Sequence, residues 1–549
     1  MRNSPCILLL PLVFLFVISA CKSKDKGQEN SNELINVQLF TEPQTLHPIM
    51  GNLTSSGQNV LAYTNQFLTG YDPATGEPAG WVAEKPPVGS DDFKTMTYTI
   101  RKEAAWQDGA AITNSDILFS LKFALCPLSS HPKFVQVMTL RVAGLEAPEN
   151  EPNKVVLHCK ESGIQNSDIM GAVPIIDKRF FDPEGVLDAW PLEKLLAQDP
   201  AILEDSALIT WGGVVLGGDY QIKPEFLKGV SGPYQVVEWK QKDYIKLSRK
   251  PNYWGRDLDG MYHAQGPSQI VFRAMRDPSS IELQVKQGAF DAVTFMPAEV
   301  WEKLAADEAV TRSFDLLAGN RTSALAVYMN CRPTGENRCI ALADWKVRRA
   351  VAHLFSPEAF NQLKYAGKGT PVTTPVPVHS RDYHSGLSVR VKSRDSASYW
   401  LDEAGWKDLD GDLKREKIIE GVKVPLKAVL TYIAGNSTED LAREIMAEAN
   451  AVGFEMEGER TGDSCGFRKI QRSRQAYDLL ITAIQTGHSP YEFSQEWTSN
   501  ALLGGTNATG YTNPELDSLN ALSMATYDLD KRRPLMMQMQ EIWFHDQLP

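Results

Sequence analysis

The apolar pattern of this chain keeps switching between a period of two and a period of about 3.6 residues, and each switch marks a new element. Residues 34–40 alternate apolar and polar, which predicts a strand, and residues 59–68 carry the helical spacing. Residues 97–101 alternate again. Asp108-Gly109 then turns the chain, because glycine takes positive φ without steric cost. A helix follows, signalled by Thr113 as N-cap, Asp116 three residues on, and an apolar face from Ile117 to Leu125. Residues 137–147 and 154–159 are predicted strands about the turn Asn150-Glu151-Pro152-Asn153. Residues 234–239 and 244–247 predict a hairpin turning at Lys242-Asp243, closed by Tyr253 and Trp254. Strand 269–274, helix 279–286 and strand 292–295 come next.

The second half repeats the alternation of types. Strand 322–330 leads to a helix at 344–353, and Ser356-Pro357 starts another in the N-cap and N1 positions. A helix at 397–405 ends in Gly405. Strand 424–432, helix 438–452 closed by Gly453, and strand 454–457 form a strand–helix–strand unit. Residues 477–484 are almost continuously apolar, which predicts a strand buried on both faces. Residues 531–547 carry the last long helix. Strands alternating with helices mean an α/β chain, and 549 residues exceed one core, so two or three domains are expected.

The N-terminus carries different information. Arg2 precedes an apolar run, 7–18, too short to span a bilayer, and Ile18-Ser19-Ala20-Cys21 closes it like a lipoprotein processing site. Residues 1–20 are therefore an expected signal peptide, Cys21 the lipidated residue, and 21–33 a polar tether. Lys22 in place of Asp disfavours retention at an inner membrane. The net charge of −12 argues against nucleic acid as a partner. Past the signal, Cys126, Cys159, Cys331, Cys339 and Cys465 include no Cys-x-x-Cys pair, which removes zinc-ribbon and thioredoxin readings. Cys331 and Cys339 flank a short loop, and a disulfide between them is one expectation in an oxidising compartment. The glycines at 212–218 do not match a nucleotide loop. Asp408, Asp410 and Asp412 alternate as calcium ligands would, but Gly411 falls fourth rather than sixth and Ile419 stands where the loop needs Glu, so a hairpin turn is the better account.

Several of these stretches are worded like one family. Trp106-Gln-Asp-Gly through Phe119-Ser120, Ser231-Gly-Pro-Tyr234, Tyr253-Trp254, Asp344 to Ala350, Tyr477-Asp478 and Tyr511-Thr-Asn-Pro514 together resemble the family-5 extracellular solute-binding proteins, the peptide/nickel-type receptors of ABC importers. The resemblance runs through most of 34–549 and is weakest at 177–228. It implies a periplasmic binding protein-like α/β fold: two α/β lobes with a mixed sheet each, an inserted subdomain and a hinge. The implied boundaries are 34–76 and 230–321 for lobe one, 77–229 for the insertion and 322–549 for lobe two. The family's closing strand after the last helix is not found before Pro549.

The same resemblance implies a receptor rather than an enzyme, without cofactor or metal, monomeric, with a small solute, an ABC permease and ATPase, and a membrane as partners. By position, the solute-facing residues would be Asn52, Thr54 and Ser55 in lobe one, and Phe467, Ile484, Gln485, Gly487 and His488 in lobe two. Peptide receptors place a Trp where Ile484 stands and an amine-pairing Asp where Gly487 stands, so a peptide amine would need another carboxylate, such as Glu492. Nucleophile-elbow, His-Glu-x-x-His and Gly-Lys-Ser motifs are missing. A lipoprotein hydrolase or a structural lipoprotein on the same fold are the rival readings.

Overall fold

The computed structural model describes residues 34–50, 54–72, 77–130, 132–260, 263–319, 323–332, 339–434, 437–461, 477–485, 493, 496–499, 507–526 and 528–547. The expected signal peptide, Cys21 and tether lie outside these residues, as do Asn52, Phe467, Gly487, His488 and Cys465. The described chain forms two compact units that divide between Leu316 and Leu317, slightly before the lobe boundary expected between 321 and 322.

The first unit begins with β1 (Leu34–Leu39) and the helix α1 (Ser55–Thr64). That helix starts and ends earlier than its apolar spacing suggests. The Thr54 side chain accepts the Gly57 N–H and fixes the start. Beyond Asn65 the chain is extended, and the Phe67 and Leu68 carbonyls accept the N–H groups of Val82 and Trp81. A short antiparallel pair follows, β2 (Thr69–Tyr71) with β3 (Pro78–Gly80).

β4 (Val88–Gly89) and β5 (Thr95–Thr99) lead to α2 (Asn114–Leu125), with Gly109 between them at φ +87°. The Asp116 carboxylate accepts both the Thr113 N–H, at 2.8 Å, and its hydroxyl, at 3.1 Å, so the acidic capping box is formed. The expected strand over 137–147 is instead a helix, α3 (Pro132–Arg141), followed by β6 (Val142–Glu146). Pro132 opens the helix, and Phe134, Val135 and Met138 turn one face into the core, a spacing that a strand could not bury together. With β7 (Lys154–Cys159) these strands make a sheet of order β4-β5-β7-β6 under a large apolar cluster that includes Trp106, Phe119 and Phe123.

β8 (Tyr234–Lys240) and β9 (Tyr244–Arg249) form the expected hairpin. β10 (Gln269–Ala274), a helix over Pro278–Lys286 and β11 (Ala292–Val293) complete a five-stranded sheet of order β11-β1-β10-β9-β8. β1 runs parallel to both β10 and β11, so three carboxyl ends lie side by side. β11 is shorter than predicted because Thr294 and Phe295 bend to bond Gln38: the Thr294 hydroxyl donates to its carbonyl at 2.7 Å and the Phe295 N–H to its side chain at 3.2 Å.

The second unit holds β12 (Ser323–Met329), β13 (Glu416–Ile419), β14 (Val422–Pro425), β15 (Lys427–Ile433), β16 (Glu455–Thr461) and β17 (Leu479–Gln485). The main sheet has the order β12-β17-β15-β16, with β17, β15 and β16 parallel. The single strand expected over 424–432 is broken at Pro425, which has no N–H to continue a ladder. Its first part pairs with β13 in a separate hairpin. The helix Ser437–Ala451 joins β15 to its neighbour β16 and gives way to Gly453 at φ +80°. Asp344, Ser356 and Ser393 each cap a helix through a side-chain oxygen, and Ser393 starts its helix three residues before the expected Ala397.

β17 is buried on both faces, as its apolar run predicts: Leu479, Leu480 and Ile481 are inaccessible. Leu479 and Ile481 join one cluster, with Cys339; Leu480 and Ile484 join the other, with Cys331. The two cysteines pack in different apolar clusters and are free thiols, so the disulfide expectation is not met. Cys126 and Cys159 are likewise buried thiols.

Candidate functional site

In open α/β sheets, ligands gather at the carboxyl ends of parallel strands, where backbone leaves the sheet and the side chains are unconstrained by the ladder. In the first unit those ends are Phe40-Thr41 after β1, Met275-Arg276 after β10 and Thr294-Phe295-Met296 after β11. Gln38 locks the three together. Fully buried within β1, it donates to the Met275 carbonyl at 2.6 Å and accepts from Phe295 on the other side. The result is an aromatic platform: the Phe40 and Phe295 rings lie 4.7 Å apart, and the Arg276 guanidinium stands 4.7 Å over Phe40. Sequence reasoning missed this group. A polar residue in the middle of an alternating strand, Gln38, was its one available signal.

Thr54 and Ser55 lie at the start of α1, both exposed. The next residue, Ser56, shares a 2.7 Å hydrogen bond with Thr41, which ties the helix start to the end of β1. Two of the three solute-facing positions expected here are therefore placed beside the strand ends, although the Thr54 oxygen is already occupied as a cap.

His47, in the turn that follows β1, performs a structural task. Its Nδ1 accepts the N–H groups of Ile49 and Met50 at 3.3 Å, and its ring stacks on Phe123. Burial pulls its pKa down to about 3, so the ring stays neutral. Glu42, in the same turn, accepts from the Trp239 indole at 2.8 Å and from the Lys242 N–H at 3.0 Å, anchoring the β8–β9 hairpin. Lys250, buried with its ammonium on the Val230 carbonyl, has its pKa lowered by burial to about 7. It lines a small cavity with Trp106, Gln107, Ser231 and Tyr253.

In the second unit the end of β17 is covered on the face that carries Ile484, while Ala483 on the other face is exposed. Ile484 is 2 % exposed among Tyr328, Phe493 and Trp497, and Gln485, the last residue of β17, pairs with Ser323 of β12. Tyr328 donates to Glu496 at 2.6 Å, and burial raises that carboxyl to about 7. Asp478, in the family-like Tyr-Asp pair, accepts the N–H groups of Cys339 at 2.8 Å and Val429 at 2.9 Å, stitching a loop and β15 to the start of β17. The carboxylates of Asp408, Asp410 and Asp412 come together with that of Glu416, which the sequence reading did not include. Lys423 already pairs with Asp410 and Glu416, and Asp408 accepts the Gly411 and Leu413 N–H groups, which is the chemistry of a turn.

The sequence model of the bacterial extracellular solute-binding proteins, family 5, matches residues 77–502. The chain belongs to that family. It is 22 % identical to the oligopeptide-binding protein OppA of Bacillus subtilis over all of this chain and 93 % of the relative, and 22 % identical to protein XP55 of Streptomyces lividans over 90 % of this chain and 78 % of the relative. Among solved structures, AppA of Bacillus subtilis with a nonapeptide superimposes with a TM-score of 0.65 at 19 % identity, covering 95 % of this chain and 92 % of the other. NikA of Brucella suis with Fe(III)-EDTA gives 0.69 at 16 %, covering 94 % and 93 %. The periplasmic binding protein fold of this family is thus established, and the Bacillus subtilis relative OppA is by name an oligopeptide-binding protein.

Proposed function

We propose that this family member captures a peptide or a similar small solute, releases it unchanged to an ABC permease and its ATPase, and hangs from the cell envelope by a lipid on Cys21. The observation that carries the reading is end-to-end similarity to an oligopeptide-binding protein together with the family match. The solute-facing set proposed by position remains Asn52, Thr54, Ser55, Phe467, Ile484, Gln485, Gly487 and His488. Buried Ile484 supports it least, and exposed Ser55 more.

The test is thermal denaturation of the mature protein with mixed peptide pools. A receptor gains about 2.7 kcal/mol at a hundredfold excess over its dissociation constant, and the pool is recovered unaltered. Cleaved peptides would move the assignment to a hydrolase. His488→Ala and Gln485→Ala should each weaken binding without lowering the melting temperature; unchanged affinity in both removes that wall from the proposal.

A further inference from the structure

We infer that Arg276, on the Phe40–Phe295 platform, receives a carboxylate of the solute, so that this unit selects acidic ligands. The inference rests on the capture reading above and adds the charge of the cargo. Three observations combine.

Arg276 is exposed, and among the described residues it has a ring partner but no carboxylate partner. Its neighbours in the field do not substitute. Asp277, next in sequence, is turned to its own helix, accepting the Ser280 N–H at 2.7 Å, and Arg273 already holds Asp243 at 2.7 Å. A guanidinium stacked on an aromatic ring keeps its edge free, and that edge presents parallel N–H donors matched to two carboxylate oxygens.

The platform is also preorganised. Gln38 fixes the backbone of Met275 and Phe295, on either side of Phe40. The ring of Phe40 remains 37 % exposed at a strand end where an apolar side chain has no core to join. Such an exposed aromatic beside an unpaired cation fits a solute with an anionic group and an adjacent apolar one. Because the backbone under the platform is fixed before binding, ordering entropy is lost mainly by the ligand and the Arg276 side chain.

A carboxylate can come from a peptide C-terminus or from an acidic side chain, and three probes separate the two. They are a neutral Ala/Phe-rich tripeptide pool with free C-termini, the same pool C-terminally amidated, and an amidated pool carrying one Glu. Titration calorimetry on the mature protein, with all three pools N-acetylated so that they differ only in the carboxylate, should show the free-acid pool or the Glu pool, or both, binding at least about tenfold more tightly than the uncharged amide. Arg276→Gln should erase that preference while leaving the melting temperature unchanged, because the side chain is exposed. Arg276→Lys should restore part of it. A preference unchanged in Arg276→Gln, or equal affinity for all three pools, overturns the inference and leaves peptide capture standing. Binding of none of the pools overturns both.

Discussion

The two units treat their strand ends in opposite ways. At the end of β1, Phe40 is 37 % exposed with its ring tilted against Phe295 under an arginine; one residue before the end of β17, Ile484 is 2 % exposed and packed against Trp497 and its neighbours. Both strands are parallel members of mixed sheets, so topology alone does not set which end is open. What differs is the partner. β1 is flanked by two parallel neighbours whose ends Gln38 binds into one edge, whereas β17 lies between β12 and β15 with apolar clusters on both faces. An apolar residue at a strand end joins the core where a second layer covers it and stays in contact with solvent where none does.

Truncation breaks this comparison most strongly. Ile484→Ala should destabilise the second unit by about 3 kcal/mol, because a closed cluster cannot collapse onto the lost volume. Chemical denaturation measures it. Unchanged stability with weakened peptide binding would show that the β17 end is also open surface.

The titratable groups sharpen the contrast through pH. His47, with its folded pKa lowered from 6.5 to about 3, resists protonation in the folded first unit. Stability there is present above 6.5 and falls, by about 1.4 kcal/mol per unit, as pH drops towards 3. His263, lowered to about 4, acts in the same sense. Glu496 has the opposite sign: its folded pKa is raised from 4.5 to about 7, so its contribution is present below 4.5 and is lost as pH rises through 7. Denaturation curves at pH 4.5, 5.5 and 6.5 should show His47→Phe flattening the acid-side loss and Glu496→Gln removing the loss towards neutrality. Parallel curves for wild type and variants would contradict both burials.

Smaller effects belong to the open end. Thr54→Ala should cost about 1 kcal/mol through loss of the α1 cap, and Thr54→Asn should recover most of it; a neutral Thr54→Ala would release that hydroxyl for a solute role. Phe40→Ala should change stability by about 0.5 kcal/mol or less, yet weaken solute binding several-fold. A large stability loss instead would make Phe40 part of a core.

The alternating and helical periods fixed most strands and helices, because burying one face of an element is a local requirement that its own residues must meet. Trp106 to Leu125, the β8–β9 hairpin and doubly buried β17 were legible for that reason. Where neighbours intervened the pattern misled: 137–141 became helix behind Pro132, Pro425 split a predicted strand, and Cys331 and Cys339 were drawn into different clusters. The candidate surface was the least readable part. Phe40 lies more than two hundred residues before Arg276 and Phe295, and only the parallel pairing of β1 with β10 and β11, braced by one buried glutamine, brings them into contact. A one-dimensional pattern records what each segment must bury; which exposed side chains meet is decided by the sheet that gathers the segments.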